Sequence, residues 1–115
     1  MADLDELQHK IVEFRDERNW KQFHNPKDLA ISLSLEAAEL LEHFQWKSPA
    51  EIKAHLKTKH NDVSDELVDV LYWVLLMAHD LKIDLPKEFE RKMKKNAKKY
   101  PNNAAKNSHK KYTEL

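Results

Sequence analysis

The 115-residue sequence contains no cysteine, no glycine and only four prolines. Without cysteine there is no disulfide scaffold, no thiolate zinc site and no cysteine nucleophile. The missing glycine excludes more. A Walker loop, a dinucleotide-binding turn and a glycine-bearing hairpin all need a residue without a Cβ. A chain of this kind that handles phosphates must use side chains and metal ions, and it must be built mostly of helices. Net charge is absent too: 20 basic and 20 acidic residues cancel, so bulk charge makes no case for a nucleic-acid partner. The longest strongly apolar stretch, Leu67 to Ala78, holds twelve residues and includes Asp69. That is too short for a membrane span. The start, MADLDELQHK, lacks the basic opening and apolar run of a signal peptide. A cytoplasmic protein without a membrane partner is therefore expected. At 13.7 kDa, with 41% hydrophobic and 35% charged residues, the chain has the size and composition of one globular domain.

Hydrophobic spacing predicts an all-α antiparallel bundle of four main helices plus a short connecting one. Leu4, Leu7, Ile11 and Phe14, spaced by three and four, place the first helix over about residues 3–19. Asn25 before Pro26 reads as a cap with proline in the first turn, opening a second helix to about Gln45. Ser48-Pro49-Ala50-Glu51 has the residues of a capping box, starting a short helix to about Leu56. A polar connector, residues 57–61, leads to a long helix over 62–81. Asp84-Leu85-Pro86-Lys87 restarts the chain into a last helix ending before Tyr100-Pro101. The expected organisation is one helical domain over 1–100 and a basic tail over 101–115.

The neutral total hides an asymmetry. Residues 91–113 carry nine Lys or Arg and no acid, whereas residues 1–90 carry eleven basic and nineteen acidic residues. The plain reading is a solvated helix end with a flexible tail. Sharper readings are a basic clamp over an anion or an arm gripping nucleic acid.

Two carboxylate pairs carry the chemistry. Glu36 and Glu39 lie on the second helix, and Glu66 and Asp69 lie on the third long one. Three-residue spacing puts each pair on one helix face, about 60° apart around the axis. Glu36 and Glu39 border the stripe of Leu29, Leu33, Leu40 and Phe44; Glu66 and Asp69 sit beside Val63, Val70, Trp73 and Met77. A single E-x-x-E is usually a solvated face, and Glu42 fits that role. Asp69 is different. It is the one charged side chain between Leu67 and Ala78, on a helix apolar nearly all round and so expected to be central and to bury it. A buried lone carboxylate costs several kcal/mol unless it is protonated, paired or bound to a metal. If the two helices pack antiparallel, the four acids meet, and only cations make such a meeting favourable. All-oxygen ligands suit Mg²⁺ or Mn²⁺. A di-iron bundle would want two inward Glu-x-x-His motifs, and only Glu6-Leu-Gln-His9 occurs.

Trp20, Phe23 and His24 cluster in the break before the second helix, Trp46 follows its end, and Trp73 lies one turn after Asp69. Each alone reads as core, and His24 as a satisfied loop histidine. Together they could stack on a nucleobase, at about 1–3 kcal/mol per base.

The order Trp20…Phe23-His24-x-Pro26, Glu36-x-x-Glu39, Phe44-Gln45-Trp46-Lys47, Glu66-x-x-Asp69 and Tyr100-Pro101…Lys111-Tyr112-Thr113-Glu114-Leu115 resembles the all-α MazG-like nucleotide pyrophosphohydrolases. The resemblance is to the dCTP pyrophosphatase and small bacterial branch, from about Lys10 onward. It implies Mg²⁺-dependent hydrolysis of a nucleoside triphosphate, such as dCTP, to monophosphate and pyrophosphate. Glu36, Glu39, Glu66 and Asp69 match the family's metal ligands, with Glu39 and Glu66 as catalytic candidates. Trp20, Lys21, Gln22, Phe23, His24 and Trp46 match its base-binding segment, Trp73 stands at a further position of its base slot, and Lys92, Asn96 and Lys99 fall in its phosphate-facing segment. Ile11 stands where dCTP-preferring relatives carry a histidine, and Trp73 where they carry a tyrosine. The resemblance further implies a homotetramer, a dimer of dimers with shared active sites. The rival readings are a helical interaction module and a nucleic-acid binder using residues 91–113.

Overall fold

A computed structural model describes residues 2–115. In chain order these form α1 (Leu4–Glu17), a 3₁₀ turn (Trp20–Phe23), α2 (Pro26–Glu42), α3 (Pro49–Thr58), α4 (His60–Asp80), α5 (Leu85–Lys99), α6 (Asn102–Ala105) and a final 3₁₀ turn (Tyr112–Glu114). No strand occurs among the described residues, and the fold is all-α. None of the helices is long and apolar enough to cross a membrane. The chain divides into two compact units, Met1–Lys82 and Ile83–Leu115.

The helix starts follow the capping signals. The Asp3 carboxylate accepts from the Glu6 N–H at 2.9 Å, and the Asn25 side chain accepts from the Asp28 N–H at 2.9 Å. Ser48 and Glu51 close the capping box, with reciprocal bonds of 3.2 and 3.0 Å. Asp84 caps α5 through the Lys87 N–H at 3.3 Å. Each such cap satisfies an orphan donor of the first turn. Ser48→Ala is expected to cost about 1 kcal/mol, read as a lower urea midpoint at unchanged slope.

Two boundaries differ from the sequence reading. The polar connector over 57–61 shrinks to Lys59, because no proline or glycine there stops α3 or delays α4. α2 ends at Glu42 rather than Gln45, and the next four residues form a turn. The lack of glycine shows here. Asn19, Trp46, Lys82 and Asn107 take left-handed backbone, with φ of 54°, 65°, 57° and 64°. Asparagine tolerates this conformation; at Trp46 and Lys82 the Cβ makes it costly, by roughly 1–2 kcal/mol each.

In the first unit α4 packs against α2, α1 and α3. Leu29, Val63, Leu75, Leu76 and Ala78 form the buried apolar core. Leu29 near the start of α2 shares a cavity wall with Asp80 and Leu81 at the end of α4, while Glu36 reaches Glu66. The two helices therefore run antiparallel. α4 is central, as its composition suggested, but its burial is one-sided: Leu67, Val68 and Leu71 are exposed. The most deeply buried charge is Arg15, at 0% exposure. Its Nη1 donates to Asp80 Oδ2 at 2.6 Å, tying α1 to α4. Nearby, Gln8 Nε2 donates to the Leu75 carbonyl at 2.8 Å.

In the second unit α5 leads to a tail with local order. The Tyr112 ring packs edge-on against Tyr100 at 5.9 Å, and Lys99 Nζ lies 4.6 Å from its centroid.

Candidate active site

The antiparallel packing of α2 and α4 brings three of the four singled-out carboxylates together. Glu36, Glu39 and Glu66 each offer one oxygen, and these oxygens lie within 4.8 Å of one another. Like charges this close disfavour ionisation. Burial first, then the hydrogen bond that the protonated form would give to Glu66 and the charges of Asp69, Glu39 and Glu66, push the Glu36 carboxyl up to about 7. The Glu66 carboxyl is also raised, by burial and by the hydrogen bond and charge of Glu39, with Asp69 adding to it, against the opposing bond to Glu36.

The acceptor atoms fit a divalent cation. Glu36 Oε2 and Glu66 Oε2 are buried and have no hydrogen-bond partner among the described residues. A buried oxygen without a donor is costly, and a cation would satisfy both. A set made only of carboxylate oxygens suits a hard ion rather than a soft one.

Asp69 departs from its expected place. It is exposed and lies outside the three-glutamate group. The physical reason is the one-sided burial of α4: Asp69 shares the uncovered surface with Val68. It still acts on the group, since its charge helps to raise Glu36 and it faces the same cavity.

That cavity has a volume of about 440 Å³, within the range of small-molecule sites. Glu36 and Asp69 supply its acidic side, Phe14, Trp20, Tyr72 and Trp73 its aromatic side, and Lys10 and Ile11 complete the lining. The aromatic rings brace one another edge-to-face. Phe14 lies 5.8 Å from Trp20 and 6.3 Å from Tyr72, and Tyr72 lies 5.0 Å from Trp73. Such contacts fix ring positions beyond what area burial alone does.

The other sequence candidates are placed less uniformly. His24 packs edge-on against Trp73 at 5.7 Å, but together with Lys21 it lines a different cavity. Burial, and after it the charge of Arg15, lower the His24 pKa. Gln22 turns back to the Asn19 carbonyl at 2.9 Å, and Phe23 is exposed. Trp46 projects into solvent at 92% exposure, outside the slot lining. Lys92, Asn96 and Lys99 lie on α5, in the second unit. Three slot residues escaped the sequence reading. Phe14 was read only as part of the apolar stripe of the first helix, and Lys10 and Tyr72 were not singled out.

A profile of the MazG-like family matches residues 31–115. The chain belongs to the MazG-like family. Its relatives include dCTP pyrophosphatase 1 of Homo sapiens, 37% identical over 114 residues spanning 97% of this chain and 67% of the human protein. The Rattus norvegicus dCTP pyrophosphatase 1 is 38% identical over the same shares. Among solved structures, a pyrophosphatase from Archaeoglobus fulgidus superposes with a TM-score of 0.80 at 41% identity. That match covers 88% of this MazG-like chain and 94% of the archaeal one.

Proposed function

We propose that this MazG-like protein is a nucleoside triphosphate pyrophosphohydrolase. It converts (deoxy)nucleoside triphosphates, dCTP or related dNTPs among them, to monophosphate and pyrophosphate, clearing unwanted nucleotides from the pool. The observation that carries the reading is the convergence of three glutamates, one of which lines an aromatic-walled cavity of about 440 Å³. The pyrophosphatase names of its relatives support the same reaction class.

Glu36, Glu39 and Glu66 would hold Mg²⁺, with Mn²⁺ as a substitute and Asp69 as the fourth carboxylate. Bound there, the cation neutralises phosphate charge and acidifies water. Glu39, the most exposed of the three, is the alternative general base: instead of ligating the cation it would orient the attacking water and accept its proton. Glu66, raised by its neighbours, is the second catalytic candidate. Phe14, Trp20, Tyr72 and Trp73 hold the base by stacking and edge contacts. Lys92, Asn96 and Lys99 are assigned to the phosphates by the family resemblance alone, and so are Gln22, Phe23 and Trp46 to the base; Lys21 and His24, which the resemblance also gives to the base, line the other cavity and are left out of this assignment.

A homotetramer built as a dimer of dimers is part of the proposal. Exposed Ile31 and Leu35 on α2, and Leu67, Val68 and Leu71 on α4, are apolar surface of the kind that subunit contacts cover. Light scattering should give four times the chain mass.

The deciding experiment is a panel of canonical and modified nucleotides with Mg²⁺, separating monophosphate, diphosphate, phosphate and pyrophosphate. Monophosphate plus pyrophosphate is the expected outcome. With Ile11 and Trp73 lining the slot, turnover should extend beyond cytosine. Release of single phosphates, or no turnover by folded protein, would overturn the proposal.

A further inference from the structure

A second cavity, of about 330 Å³, opens where the start of α2 meets the end of α4. Its one carboxylate is already committed: Asp80 accepts from Arg15 at 2.6 Å and lies 3.2 Å from His79 Nδ1. Of the rest of the lining, Pro26, Leu29 and Leu81 are apolar and Asn25 is already bonded to Asp28 through both ends of its amide, which leaves Lys21, His24 and Lys82 as the free polar groups among the described residues. Lys21 and Lys82 both line the cavity and form no ion pair among the described residues. His24, in the same wall, has a buried Nδ1 without a hydrogen-bond partner among the described residues. Asn25 and Pro26 bring the start of the 17-residue α2 to the same place, where Asn25 caps it and Asp28 of its first turn offsets part of its positive end. With Asp80 neutralised by Arg15, the lining carries net positive charge from two lysines. Such a cavity is complementary to a small multivalent anion.

We propose that this cavity binds a free phosphate-type oxyanion, inorganic phosphate or pyrophosphate, at a site separate from the three-glutamate group. Lys21 and Lys82 supply the charge-assisted contacts. The two cavities share a wall of rings, since His24 meets Trp73 edge-on at 5.7 Å and Trp73 lines the aromatic slot. An anion held beside His24 is therefore sensed at the slot. Binding at the second cavity does not depend on the enzyme reading.

The test uses full-length protein in EDTA at constant ionic strength, where acidic groups without a cation repel anions. Pyrophosphate is titrated while amide ¹H–¹⁵N resonances are followed. Saturable shifts centred on Lys21, His24, Asn25 and Lys82 are expected, with a smaller response at the Trp73 indole. Lys82→Gln should weaken binding about tenfold, the loss of one charge-assisted contact, and Lys82→Arg should restore it. The same spectra report whether each variant is folded. Shifts centred on Glu36 and Glu66, or unchanged affinity in Lys82→Gln, would overturn the site. A final arm adds dCTP in EDTA. If the nucleotide displaces pyrophosphate from these amides, the site serves a triphosphate tail, and its assignment to a free oxyanion fails.

Discussion

Glu36→Gln is expected to cut Mg²⁺-dependent nucleotide turnover on the order of a thousandfold while leaving the protein folded. A divalent cation contributes several kcal/mol of transition-state charge stabilisation, and each 1.36 kcal/mol is about tenfold in rate. Glu36 belongs to both the glutamate group and the slot. The same change removes a pH dependence. In the metal-free protein the Glu36 carboxyl titrates at about 7 against an ordinary value of 4.5. Between these values the folded state keeps a proton that the unfolded state has released, so stability falls as pH rises from about 4.5 to about 7. Glutamine cannot ionise, so the slope of melting temperature against pH should flatten in Glu36→Gln. Metal acts in the opposite sense. Its ligands must be deprotonated, so the melting-temperature gain from Mg²⁺ should be larger at pH 8 than at pH 5.5. At a free concentration of 100 times Kd the stabilisation is about 2.7 kcal/mol. Asp69→Asn should diminish this gain without removing it, because Asp69 lies outside the three-glutamate group. An undiminished Mg²⁺ shift and undiminished turnover in Glu36→Gln would reject the site.

How much of this was legible before the fold was known depends on whether the signal is local. Caps are local: Asn25-Pro26 and Ser48-Pro49-x-Glu51 specify helix starts within four residues, and both form as their chemistry dictates. The two carboxylate pairs were also legible, because helical spacing puts each on one face whatever the partner. Asp69 shows where periodicity fails. Leu67, Val68 and Leu71 make α4 read as buried all round, yet within this chain they are exposed. Apolar composition says that a surface will be covered, not whether the same chain covers it. The slot was half legible for a similar reason. Trp20 and Trp73 could be picked by residue type, but Phe14 and Lys10 belong to α1, and their turn toward the slot depends on how α1 crosses α4. The Trp20–His24 segment read as one group, whereas the 3₁₀ turn distributes it. Trp20 faces the aromatic slot, and Lys21 and His24 face the other cavity.

Arg15→Met is expected to destabilise the protein by about 3–5 kcal/mol, the cost of stranding one partner of a buried ion pair. No sequence pattern marked this residue. Four residues after Ile11, it lies at the edge of the apolar face of α1, where a lone arginine names no partner, and that partner is 65 residues away. Yet the Arg15 side chain is 1% exposed and that of Asp80 19%. Burial works against both charges, but the bond between them prevails: Arg15 holds its proton more firmly than usual, and Arg15 with His79 keeps the Asp80 carboxyl below its ordinary range. Removing the guanidinium leaves Asp80 without its strongest donor, so its pKa should rise and its contribution to stability should reverse. A lowered carboxyl stabilises the fold above its unfolded value, and that stabilisation is lost as pH falls through the folded value. The single variant should therefore lose the acid-side part of the pH–stability profile as well as overall stability. A double-mutant cycle separates pairing from packing. Arg15→Met with Asp80→Asn should recover part of the loss, because no bare charge remains buried. Equal losses in the single and double variants would mean that Arg15 acts by filling space. Urea unfolding at pH 4 and pH 8 for the four proteins of the cycle makes the distinction. The ion pair joins α1 to α4, and the aromatic slot lies between residues of the same two helices. Loosening the pair should therefore also raise KM for the nucleotide, even though Arg15 does not line the slot.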